Sequence, residues 1–585
     1  MRVQSSRKFQ LAASLLALFS LLLHLPASNA QAAARAPAQG QHGMVVSPQR
    51  DATLAGLSIL EAGGNAVDAA VATAFALAVT DPYHSGLGGG GFILIRLADG
   101  RVVAIDARET APAAATRDMY VAPGVPNDAS RLGPLAVAVP GLVPGLADAQ
   151  AEFGTLPLPR VLAPAIRLAE EGFAVGPHHV AAVRYWQGLG LAERFPETAR
   201  IQLPDGETPI AVGWRLVQKD LARTLRRLAR NGPAELQSGE TARAIAAEVK
   251  RRGGLLTAAD LAGYRTKRRE PIHGRYRGLD VYSFPPPSSG GVALVEMLQI
   301  LEPFDLAARG AGSSASLHVI AEAMKLAFAD RAAWLGDPDF VSVPTARLVS
   351  RAHADALRAR INPPWWRRSP LTWGCSEVAI DVPAPGQAAH GGGTTHLSVS
   401  DAAGNAVAIT QTVNLLFGSG ITVPGTGVVL NDEMDDFSVA PDTPNAFGLL
   451  DIRGQNAIAA GKRPLSSMTP TILVRDGQLF MVTGSPGGPR IITTTLETIL
   501  NVVDYGMNVQ EAVSAPRFHH QWMPEKLVVE PEISADVVAA LRRCGHTVEV
   551  SRRHWSSAQS IVVDPASGLQ LGGSDPRSDG LARGF

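Results

Sequence analysis

The chain has 585 residues, a formal net charge of +0, and a composition that is 46% hydrophobic and 18% charged. This length can bury a large core. The even charge balance lacks the basic or acidic excess typical of proteins that bind nucleic acid or an acidic partner. We therefore expect a large globular protein with no nucleic-acid partner.

The N-terminus has the parts of an export signal. Arg2, Arg7 and Lys8 precede an apolar run over 11–25, and small residues lead up to Ala30. The run is too short for a stable membrane anchor, and its flanking residues are not those of one. We therefore expect residues 1–30 to be the signal peptide of a bacterial periplasmic or secreted protein, followed by a disordered lead-in over 31–41.

The chain has two cysteines, Cys375 and Cys544, which excludes a disulfide-rich scaffold. Cys544 follows an apolar helical face that includes Val538 and Leu541. That position favours a buried structural thiol, and the sequence leaves the pairing of the two cysteines open.

Two helices are predicted over 51–62 and 65–80, and Asn65 with Asp68 suits the cap of the second. The second helix is almost wholly Ala and Val, so we expect it to be buried all round. The glycine run that follows, 86–91, matches the dinucleotide fingerprint G-x-G-x-x-G in form. That fingerprint requires a strand before it and a helix after it, and here the order is reversed, so we reject a nucleotide site.

A hairpin is predicted where strands over 92–97 and 101–107 flank Asp99-Gly100. If Ala98 pairs with Arg101, then Arg108 lies opposite Gly91, and the hairpin delivers an arginine to the glycine run. Beyond it, 142–361 is predicted to be mostly helical. The segment 362–393, with Trp365-Trp366, is predicted to be an irregular loop rather than a membrane-binding surface.

A candidate self-cleavage site ends that loop. Glycines 391–393 free the backbone to adopt strained conformations, and Thr394 comes directly after them. Attack of the Thr394 hydroxyl on the Gly393 carbonyl converts the peptide bond into an ester, and hydrolysis then frees Thr394 as a new N-terminus. A residue that carries hydroxyl and α-amine together is an activated nucleophile. A glycine-rich loop without function is the alternative interpretation.

A second predicted hairpin brings polar groups towards Thr394. Pairing Ser400 with Asn405, between strands over 396–400 and 405–412, places Thr394 opposite Gln411. A second hydroxyl, that of Thr412, and the amide of Asn414 then lie beside the candidate nucleophile.

A third hairpin turns at Asp476-Gly477, between strands over 471–475 and 478–483. If the pairing continues beyond the ends of these strands, Ser466 and Ser467 lie opposite Gly487 and Pro486, unless Pro470 interrupts the ladder. In either case the serine pair becomes a neighbour of the turn at Gly487 and Gly488. Two backbone N–H groups of such a turn can form an oxyanion hole.

Six motifs in order along the chain form a recognisable set. They are Asp106-Ala107-Arg108-Glu109, Thr394-Thr395-His396, the run from Asn431 to Ser438, the run from Arg463 to Met468, the run from Thr483 to Gly488, and Asp575-Pro576-Arg577. With them the chain resembles the γ-glutamyltransferase (glutathione hydrolase) family of N-terminal-nucleophile hydrolases, over nearly the whole mature chain. The resemblance implies an α/β (α+β) fold, a four-layer αββα sandwich. It also implies cleavage into a large chain, 31–393, and a small chain, 394–585, that form one intertwined unit.

The resemblance implies that the substrate is a small γ-glutamyl donor such as glutathione. Arg108 would hold its α-carboxylate as a two-pronged partner. Ser466 and Ser467 would add hydroxyl donors. Its α-ammonium would be surrounded by Asn414, Glu433 and Asp436.

The chemistry implied by the resemblance centres on Thr394. Its hydroxyl would attack the γ-carbonyl, with its own freed α-amine as proton acceptor. Thr412 would hydrogen-bond this nucleophile, and the N–H groups of Gly487 and Gly488 would hold the oxyanion. Water, or the amine of an amino acid or peptide, would then take the γ-glutamyl group. No cofactor is implied, and His396, His519 and His520 lack metal-ligand spacing.

Two positions vary within the family, and two alternative functions are weighed. Glu433 stands where some members have Gln, and Phe447 where many bacterial members have a lid tyrosine, so no hydrogen-bonded latch is expected. A cephalosporin (glutaryl-type) acylase acts on a side chain without an α-ammonium, so the retained acids Glu433 and Asp436, with Arg108, disfavour it. A non-catalytic exported binding protein is disfavoured by the intact Thr394.

Overall fold

The computed structural model describes residues 35–205, 208–361, 392–440 and 443–585. The predicted signal peptide, the loop at Trp365-Trp366 and Cys375 lie outside these residues. From Pro37 onwards the described chain forms one compact unit.

The strands, in chain order, are β1 (Ala38–Gly40), β2 (Gly43–Ser47), β3 (Gly90–Arg96), β4 (Val102–Ala107), β5 (Phe173–Ala174), β6 (Arg215–Leu216), β7 (Lys267–Arg269), β8 (Ile272–Tyr276), β9 (Leu279–Ser283), β10 (Gly392–Asp401), β11 (Ala406–Leu415), β12 (Thr422–Val423), β13 (Val428–Val429), β14 (Thr471–Arg475), β15 (Gln478–Thr483), β16 (Phe518–His519), β17 (Leu527–Val529), β18 (Val548–Val550), β19 (Gln559–Val563), β20 (Gln570–Ser574) and β21 (Leu581–Gly584).

The α-helices are α1 (Arg50–Glu61), α2 (Ala66–Thr80), α3 (Leu142–Phe153), α4 (Leu158–Glu171), α5 (Pro177–Gly188), α6 (Leu191–Arg194), α7 (Pro196–Gln202), α8 (Lys219–Asn231), α9 (Ala234–Gln237), α10 (Glu240–Arg251), α11 (Ala258–Gly263), α12 (Gly290–Leu301), α13 (Leu306–Arg309), α14 (Ser314–Trp334), α15 (Thr345–Leu348), α16 (Arg351–Ile361), α17 (Arg490–Val503), α18 (Val509–Ser514) and α19 (Ala535–Arg543). Within the described residues, 3₁₀ helices span Pro134–Ala136 and Glu433–Asp436. None of the helices in the described ranges is long and apolar enough to cross a membrane.

Two seven-stranded sheets lie at the centre. One has the order β1-β20-β19-β15-β14-β9-β8, and the other has the order β21-β2-β10-β11-β3-β4-β7. Side chains alternate along β3, as the pleat of a strand requires. Phe92 and Leu94 enter the core between the sheets, together with Ile472 of β14. Ile93 and Ile95 point to the opposite face of the sheet and enter a second core, which they share with residues of α2.

Helices cover the outer face of each sheet. Helix α2 packs against β10 and β11, and α12 packs against β8 and β9. The order of layers is therefore helix, sheet, sheet, helix, and the predicted αββα sandwich is confirmed.

Helix α2 is buried at all of its 15 positions, as its Ala and Val content predicts. Asn65 and Asp68 form the predicted reciprocal cap at its start. A helix without solvent contact needs such a cap, because water cannot satisfy its first N–H groups. The cap therefore holds α2 in register behind β10 and β11.

We expect Asn65→Ala to lower the free energy of unfolding by about 1 kcal/mol, because the capping oxygen is lost. That oxygen accepts hydrogen bonds from the N–H groups of Val67 and Asp68, each at 3.0 Å. Thermal or urea unfolding measures the loss. Asn65→Ser is the control, since it keeps a capping oxygen while losing the bond from Asn65 Nδ2 to Phe153 O. Equal losses in both variants would show that this second bond, and not the cap, matters.

Strands from both sides of Gly393 lie in both sheets. In the sheet that contains β10 and β11, the neighbours β2 and β3 precede Gly393, and β21 at its edge follows it. In the other sheet, the block from β20 to β14 lies between strands that precede Gly393. The segments before and after this glycine are therefore interleaved, and neither completes a sheet alone.

Two of the three predicted hairpin registers are wrong by one residue. In both hairpins the loop has three residues and ends at a glycine with positive φ. The predicted two-residue turn at Asp99-Gly100 is a three-residue loop, because Leu97 N bonds Arg101 O and Gly100 has a φ of 91°. Ala107 therefore lies opposite Gly91. In the second hairpin Asp401 pairs with Asn405 around a loop that ends at Gly404 (φ 87°). Thr394 therefore lies opposite Thr412 rather than Gln411.

The third hairpin has the predicted register next to its turn. Arg475 pairs with Gln478, and a bulge between Leu473 and Val474 then shifts the ladder by one residue. The strands end at Thr471 and Thr483. Ser466 instead forms a bridge with Ser288, so its predicted pairing opposite Gly487 is wrong.

Two further predictions need correction. Ala38–Gly40 is not part of a disordered lead-in, because it pairs with β20 at the edge of a sheet. Cys544, predicted to be a buried structural thiol, is half-buried and disulfide-bonded. The region 142–361 is mostly helical, as predicted, and also contributes strands β5 to β9.

Candidate active site

The open ends of the hairpins meet at a small cavity of about 20 Å³. Its lining includes nearly all the residues that the sequence singles out. They are Arg108, Thr394, Thr412, Asn414, Glu433, Asp436, Ser466, Ser467 and Gly488. Phe447, Leu449, Leu465, Met468 and Ile491 complete the wall.

Thr394 is buried and in contact with Thr412 across the ladder. The two hydroxyl oxygens are 3.2 Å apart. Thr412 Oγ1 also lies 2.5 Å from the carbonyl oxygen of Gly393, the residue before the candidate nucleophile. In addition, Asn414 N donates to Thr412 Oγ1 at 2.8 Å.

These contacts determine the direction of the hydroxyl protons. A carbonyl oxygen can only accept, so the single hydroxyl proton of Thr412 points to Gly393 O. The contact between the hydroxyls must then be a donation from Thr394 to Thr412. The result is a chain of hydrogen bonds from the hydroxyl of Thr394, through Thr412, to the carbonyl of the Gly393–Thr394 peptide bond.

A β-bulge positions the residues of this hydrogen-bond chain. The register between β10 and β11 shifts between Gly393 and Thr394, so that Gly393 lies opposite Asn414. Asn414 has a φ of 79°, a left-handed conformation that Asn tolerates better than most residues. Bulges beside active sites re-aim side chains, and here the N–H of Asn414 turns towards Thr412.

The glycine run 86–91 packs directly behind the site. A Cβ on Gly89 would lie 2.0 Å from the carbonyl oxygen of Thr412, and one on Gly90 would lie 2.3 Å from Glu109 Oε2. Both distances are far below van der Waals contact. The glycines are thus required for the close approach of this segment to β11 and to a buried carboxyl.

Arg108 follows β4 directly and is buried. Its Nη1 and Nη2 pair with Glu433 and Asp436, and its Nε donates to Pro464 O at 3.2 Å. A guanidinium has five N–H groups, so one remains on each terminal nitrogen. Arg108 was predicted to lie opposite Gly91, but Ala107 takes that place, and the guanidinium of Arg108 pairs with two acids of the run from Asn431 to Ser438.

The acids around Arg108 differ from exposed carboxyls. Burial raises the pKa of Glu109 to about 7, against the opposing charge of Arg108. Burial likewise raises the pKa of Glu433 well above its usual range. Burial lowers the pKa of Arg108, but the charges of Glu433, Asp436 and Glu109 outweigh it and raise the pKa overall. The guanidinium therefore stays charged, and the Glu109–Glu433 pair protonates more readily than exposed acids do.

Two residues of this region have positions that sequence reasoning missed. Asn431 Nδ2 donates to Gly88 O and Ala138 O, and Asn431 Oδ1 accepts from Glu433 N. Asp432 accepts from Leu415 N, and its backbone carbonyl accepts from Asn414 Nδ2. These two side chains fasten the acidic 3₁₀ helix to the glycine run and to β11. Both lie inside a motif that the sequence singles out, but only the long-range contacts reveal what they hold.

The turn at Gly487 and Gly488 borders the cavity through its second residue. Both glycines have positive φ, 128° and 59°. Neither backbone N–H donates a hydrogen bond to another residue of the described chain. Gly487 itself lines a larger neighbouring cleft, whereas Gly488 lies against the ring of Phe447. Phe447 thus covers one side of the cavity, the place expected of a lid residue.

The three histidines without metal-ligand spacing all have polar neighbours. His396 lies between Thr410 Oγ1 (2.8 Å) and Ser398 Oγ (3.2 Å), and burial lowers its pKa to about 3. His519 contacts Thr493 Oγ1 at 2.9 Å, and His520 Nε2 lies 3.4 Å from Glu525. His396 is therefore held neutral behind the nucleophile's strand.

A four-layer αββα sandwich with a buried threonine near the start of a central strand defines the class of N-terminal-nucleophile hydrolases. Comparisons with known proteins identify the branch of that class. A family model described as Gamma-glutamyltranspeptidase matches residues 52–585. The chain is 46% identical over 552 residues to the glutathione hydrolase proenzyme of Escherichia coli (strain K12), covering 94% of this chain and 93% of that protein.

Acylases are also among the similar proteins. The acylase ACY 1 proenzyme of Pseudomonas sp. (strain V22) is 42% identical, over 93% of this chain and 94% of that protein. The crystal structure of cephalosporin acylase from Bacillus halodurans matches with a TM-score of 0.82 at 32% identity, over 96% of this chain and 99% of that chain. The chain belongs to the gamma-glutamyltranspeptidase family, and it is an enzyme.

Proposed function

We propose that the chain is a precursor that cleaves itself between Gly393 and Thr394, and that it then acts as a γ-glutamyltransferase and glutathione hydrolase. The products of cleavage are a large chain, 31–393, and a small chain, 394–585. One observation carries the proposal. Thr412 Oγ1 contacts both Gly393 O and Thr394 Oγ1 at the wall of the cavity that holds Arg108.

Self-cleavage follows the chain of hydrogen bonds. As Thr394 Oγ1 attacks the Gly393 carbonyl carbon, its proton passes to Thr412, and the proton of Thr412 stabilises the developing oxyanion on Gly393 O. The peptide nitrogen takes up the proton that Thr412 received from Thr394 and leaves as the α-amine of Thr394, and an ester links Gly393 to the threonine oxygen. Water hydrolyses that ester and frees Thr394 as the N-terminus of the small chain.

The freed threonine then acts on substrate. Its α-amine takes the hydroxyl proton as Oγ1 attacks the γ-carbonyl, because an α-amine titrates near pH ~8, within reach of neutral solution. The unpaired N–H groups of Gly487 and Gly488 hold the oxyanion. Water completes hydrolysis of the γ-glutamyl ester, or the amine of an amino acid or peptide completes transfer.

Recognition of the γ-glutamyl group rests on unfilled hydrogen-bonding capacity. The two remaining N–H groups of Arg108 suit a carboxylate, and the hydroxyls of Ser466 and Ser467 lie on the same wall. Glu433 Oε2 is buried without a hydrogen-bond donor among the described residues. A substrate ammonium between Glu433, Asp436 and Asn414 supplies that donor, and fixing both charged ends orients the reacting amide.

Acylase activity is the second candidate, because related proteins bear that name. A glutaryl side chain has the terminal carboxylate that Arg108 binds, but it has no ammonium. Bound glutaryl leaves Glu433 Oε2 without a donor, and an unpaired buried acceptor costs about 1–3 kcal/mol. The site therefore favours γ-glutamyl over glutaryl amides.

The test uses the purified wild-type chain, expected to be exported to the periplasm or medium after loss of residues 1–30. Intact-mass measurement is expected to find two chains, the smaller beginning at Thr394. A γ-glutamyl anilide is expected to be hydrolysed with a kcat/KM at least about 10-fold above that of the matched glutaryl anilide. A single uncleaved chain, or a preference for glutaryl, contradicts the proposal.

We expect Thr412→Val to slow self-cleavage by about 100- to 1,000-fold, the usual effect of removing one oxyanion donor. Valine keeps the shape of threonine but cannot donate to Gly393 O. Freshly made precursor is followed over time by gel and intact mass. Thr410→Val is the control, because Thr410 lies two residues away on the same strand and bonds His396 instead. A normal cleavage rate in Thr412→Val would exclude the proposed relay.

A further inference from the structure

A second group of chemically reactive side chains lies away from the active site, where helices α12, α14 and α16 pack together. Glu296 comes from α12, Asp330 from α14 and His353 from α16. One ligand atom of each lies within 4.8 Å of the others, and His353 Nε2 is 2.5 Å from Asp330 Oδ2. Three separate helices thus direct a nitrogen and carboxylate oxygens to one point.

Glu296 gives this group its significance. It is 1% exposed, and its Oε1 has no hydrogen-bond partner in the described chain. A second carboxylate, that of Asp330, has an oxygen within 4.8 Å of it. The guanidinium of Arg347 is stacked over the ring of Trp334 at 4.5 Å. A carboxyl in this position must carry a proton or meet a cation that the protein itself does not provide.

We propose that Glu296, Asp330 and His353 bind a divalent transition-metal ion, of which Zn²⁺ fits best. One imidazole nitrogen and carboxylate oxygens are ligands of Zn²⁺, whereas Ca²⁺ and Mg²⁺ prefer oxygen alone. Three protein ligands leave one coordination position for water. The ion supplies the positive charge that the buried Glu296 lacks.

The location indicates a structural role. Helix α16 is the last described element before the segment that leads to Gly393 and Thr394. After the proposed cleavage it belongs to the large chain, and the peptide connection from it to Thr394 is broken. An ion shared with α12 and α14 anchors this helix to the layer that covers the first sheet, because metal binding adds directly to the stability of the folded state.

A second group within the described residues, His318, Glu322 and His546, serves as the comparison. Its atoms also lie within 4.8 Å of one another. It offers one carboxylate and two imidazoles, whereas the first group offers two carboxylates and one imidazole, so the first group attracts a cation more strongly. We therefore assign the metal to the first group.

The test titrates purified, chelator-dialysed protein with Zn²⁺ by calorimetry, and with Co²⁺ by visible absorption. One ion per chain is expected, with a rise in Tm on saturation. Glu296→Gln keeps the shape of the side chain and removes its charge. It is expected to weaken Zn²⁺ binding at least about 100-fold and to abolish the rise in Tm. His546→Gln, the matched control, is expected to change neither.

Three outcomes would overturn the assignment. Wild-type protein that binds no Zn²⁺ shows that Glu296 is simply a buried, protonated acid. Loss of binding in His546→Gln with retention in Glu296→Gln places the ion in the other group. If both variants still bind Zn²⁺ as wild type does, the ion lies at neither group. Because Glu296→Gln removes a buried charge, its metal-free Tm is expected to equal or exceed that of wild type. This measurement shows whether the variant is folded, so loss of binding can be told apart from misfolding.

Discussion

Thr394→Ala is expected to leave one uncleaved chain whose hydrolysis of γ-glutamyl anilide falls by about 10⁴-fold or more. The same hydroxyl is proposed to cut the precursor and to attack the substrate, so both activities disappear together. Thr394→Ser keeps a hydroxyl that reaches Thr412 Oγ1, and it is expected to perform both reactions more slowly. Intact mass and the anilide assay measure the two activities on the same samples.

The neighbouring threonine provides the control for this experiment. Thr395 is buried beside Thr394, and its Oγ1 has no hydrogen-bond partner in the described chain. Thr395→Val is therefore expected to cleave and to turn over substrate like wild type. A Thr394→Ala chain that still splits after Gly393 would show that another protease makes the cut.

Arg108→Lys is expected to raise the KM for γ-glutamyl anilide by about 10- to 100-fold, since one charge-assisted hydrogen bond contributes ~1.5–3 kcal/mol. Lysine keeps the charge but loses the fork that Glu433, Asp436 and the substrate carboxylate share. Arg108 makes no hydrogen bond to Gly393, Thr394 or Thr412 among the described residues. Self-cleavage is therefore expected to proceed normally, and this separates substrate binding from processing.

Complete removal of the charge has a second consequence. Arg108→Ala leaves buried acids without a counter-charge, which costs about 3–5 kcal/mol of stability. The double variant Arg108→Ala with Glu433→Gln is expected to regain part of that stability, measured by thermal unfolding, but not the low KM. An unchanged KM in Arg108→Lys, or full recovery of KM in the double variant, would contradict the assignment of Arg108 to the substrate carboxylate.

The positions of the three hairpins could be predicted from sequence, but their registers could not. Asp99-Gly100 and Asp476-Gly477 are the same dipeptide, yet only the second forms a two-residue turn. There both residues have positive φ, 50° and 78°, whereas at the first hairpin Gly100 alone does. The choice between the two loops depends on how the strands pack against their neighbours, and no local signal in the dipeptide encodes it.

The candidate site was predictable to the extent that it rests on motifs. Those motifs identified Arg108, Thr394 and the acids at 433 and 436, and the structure places them around one cavity. The supporting contacts were not predictable, because they join distant parts of the chain. The amide of Asn431, which fastens Gly88 and Ala138, and the carboxyl of Glu109, packed on Gly90, are examples.

The interleaving of strands from both sides of Gly393 makes the intact precursor a folding template. Before the cut, the two segments find each other within one chain, so their effective concentration is fixed by the connection between them. Once the proposed cut breaks that connection and the disulfide of Cys544 is reduced, a denatured molecule becomes two separate polypeptides, neither of which can complete a sheet. The stability of the processed enzyme is therefore kinetic: it is described by the rate of unfolding and not by a reversible free energy of unfolding.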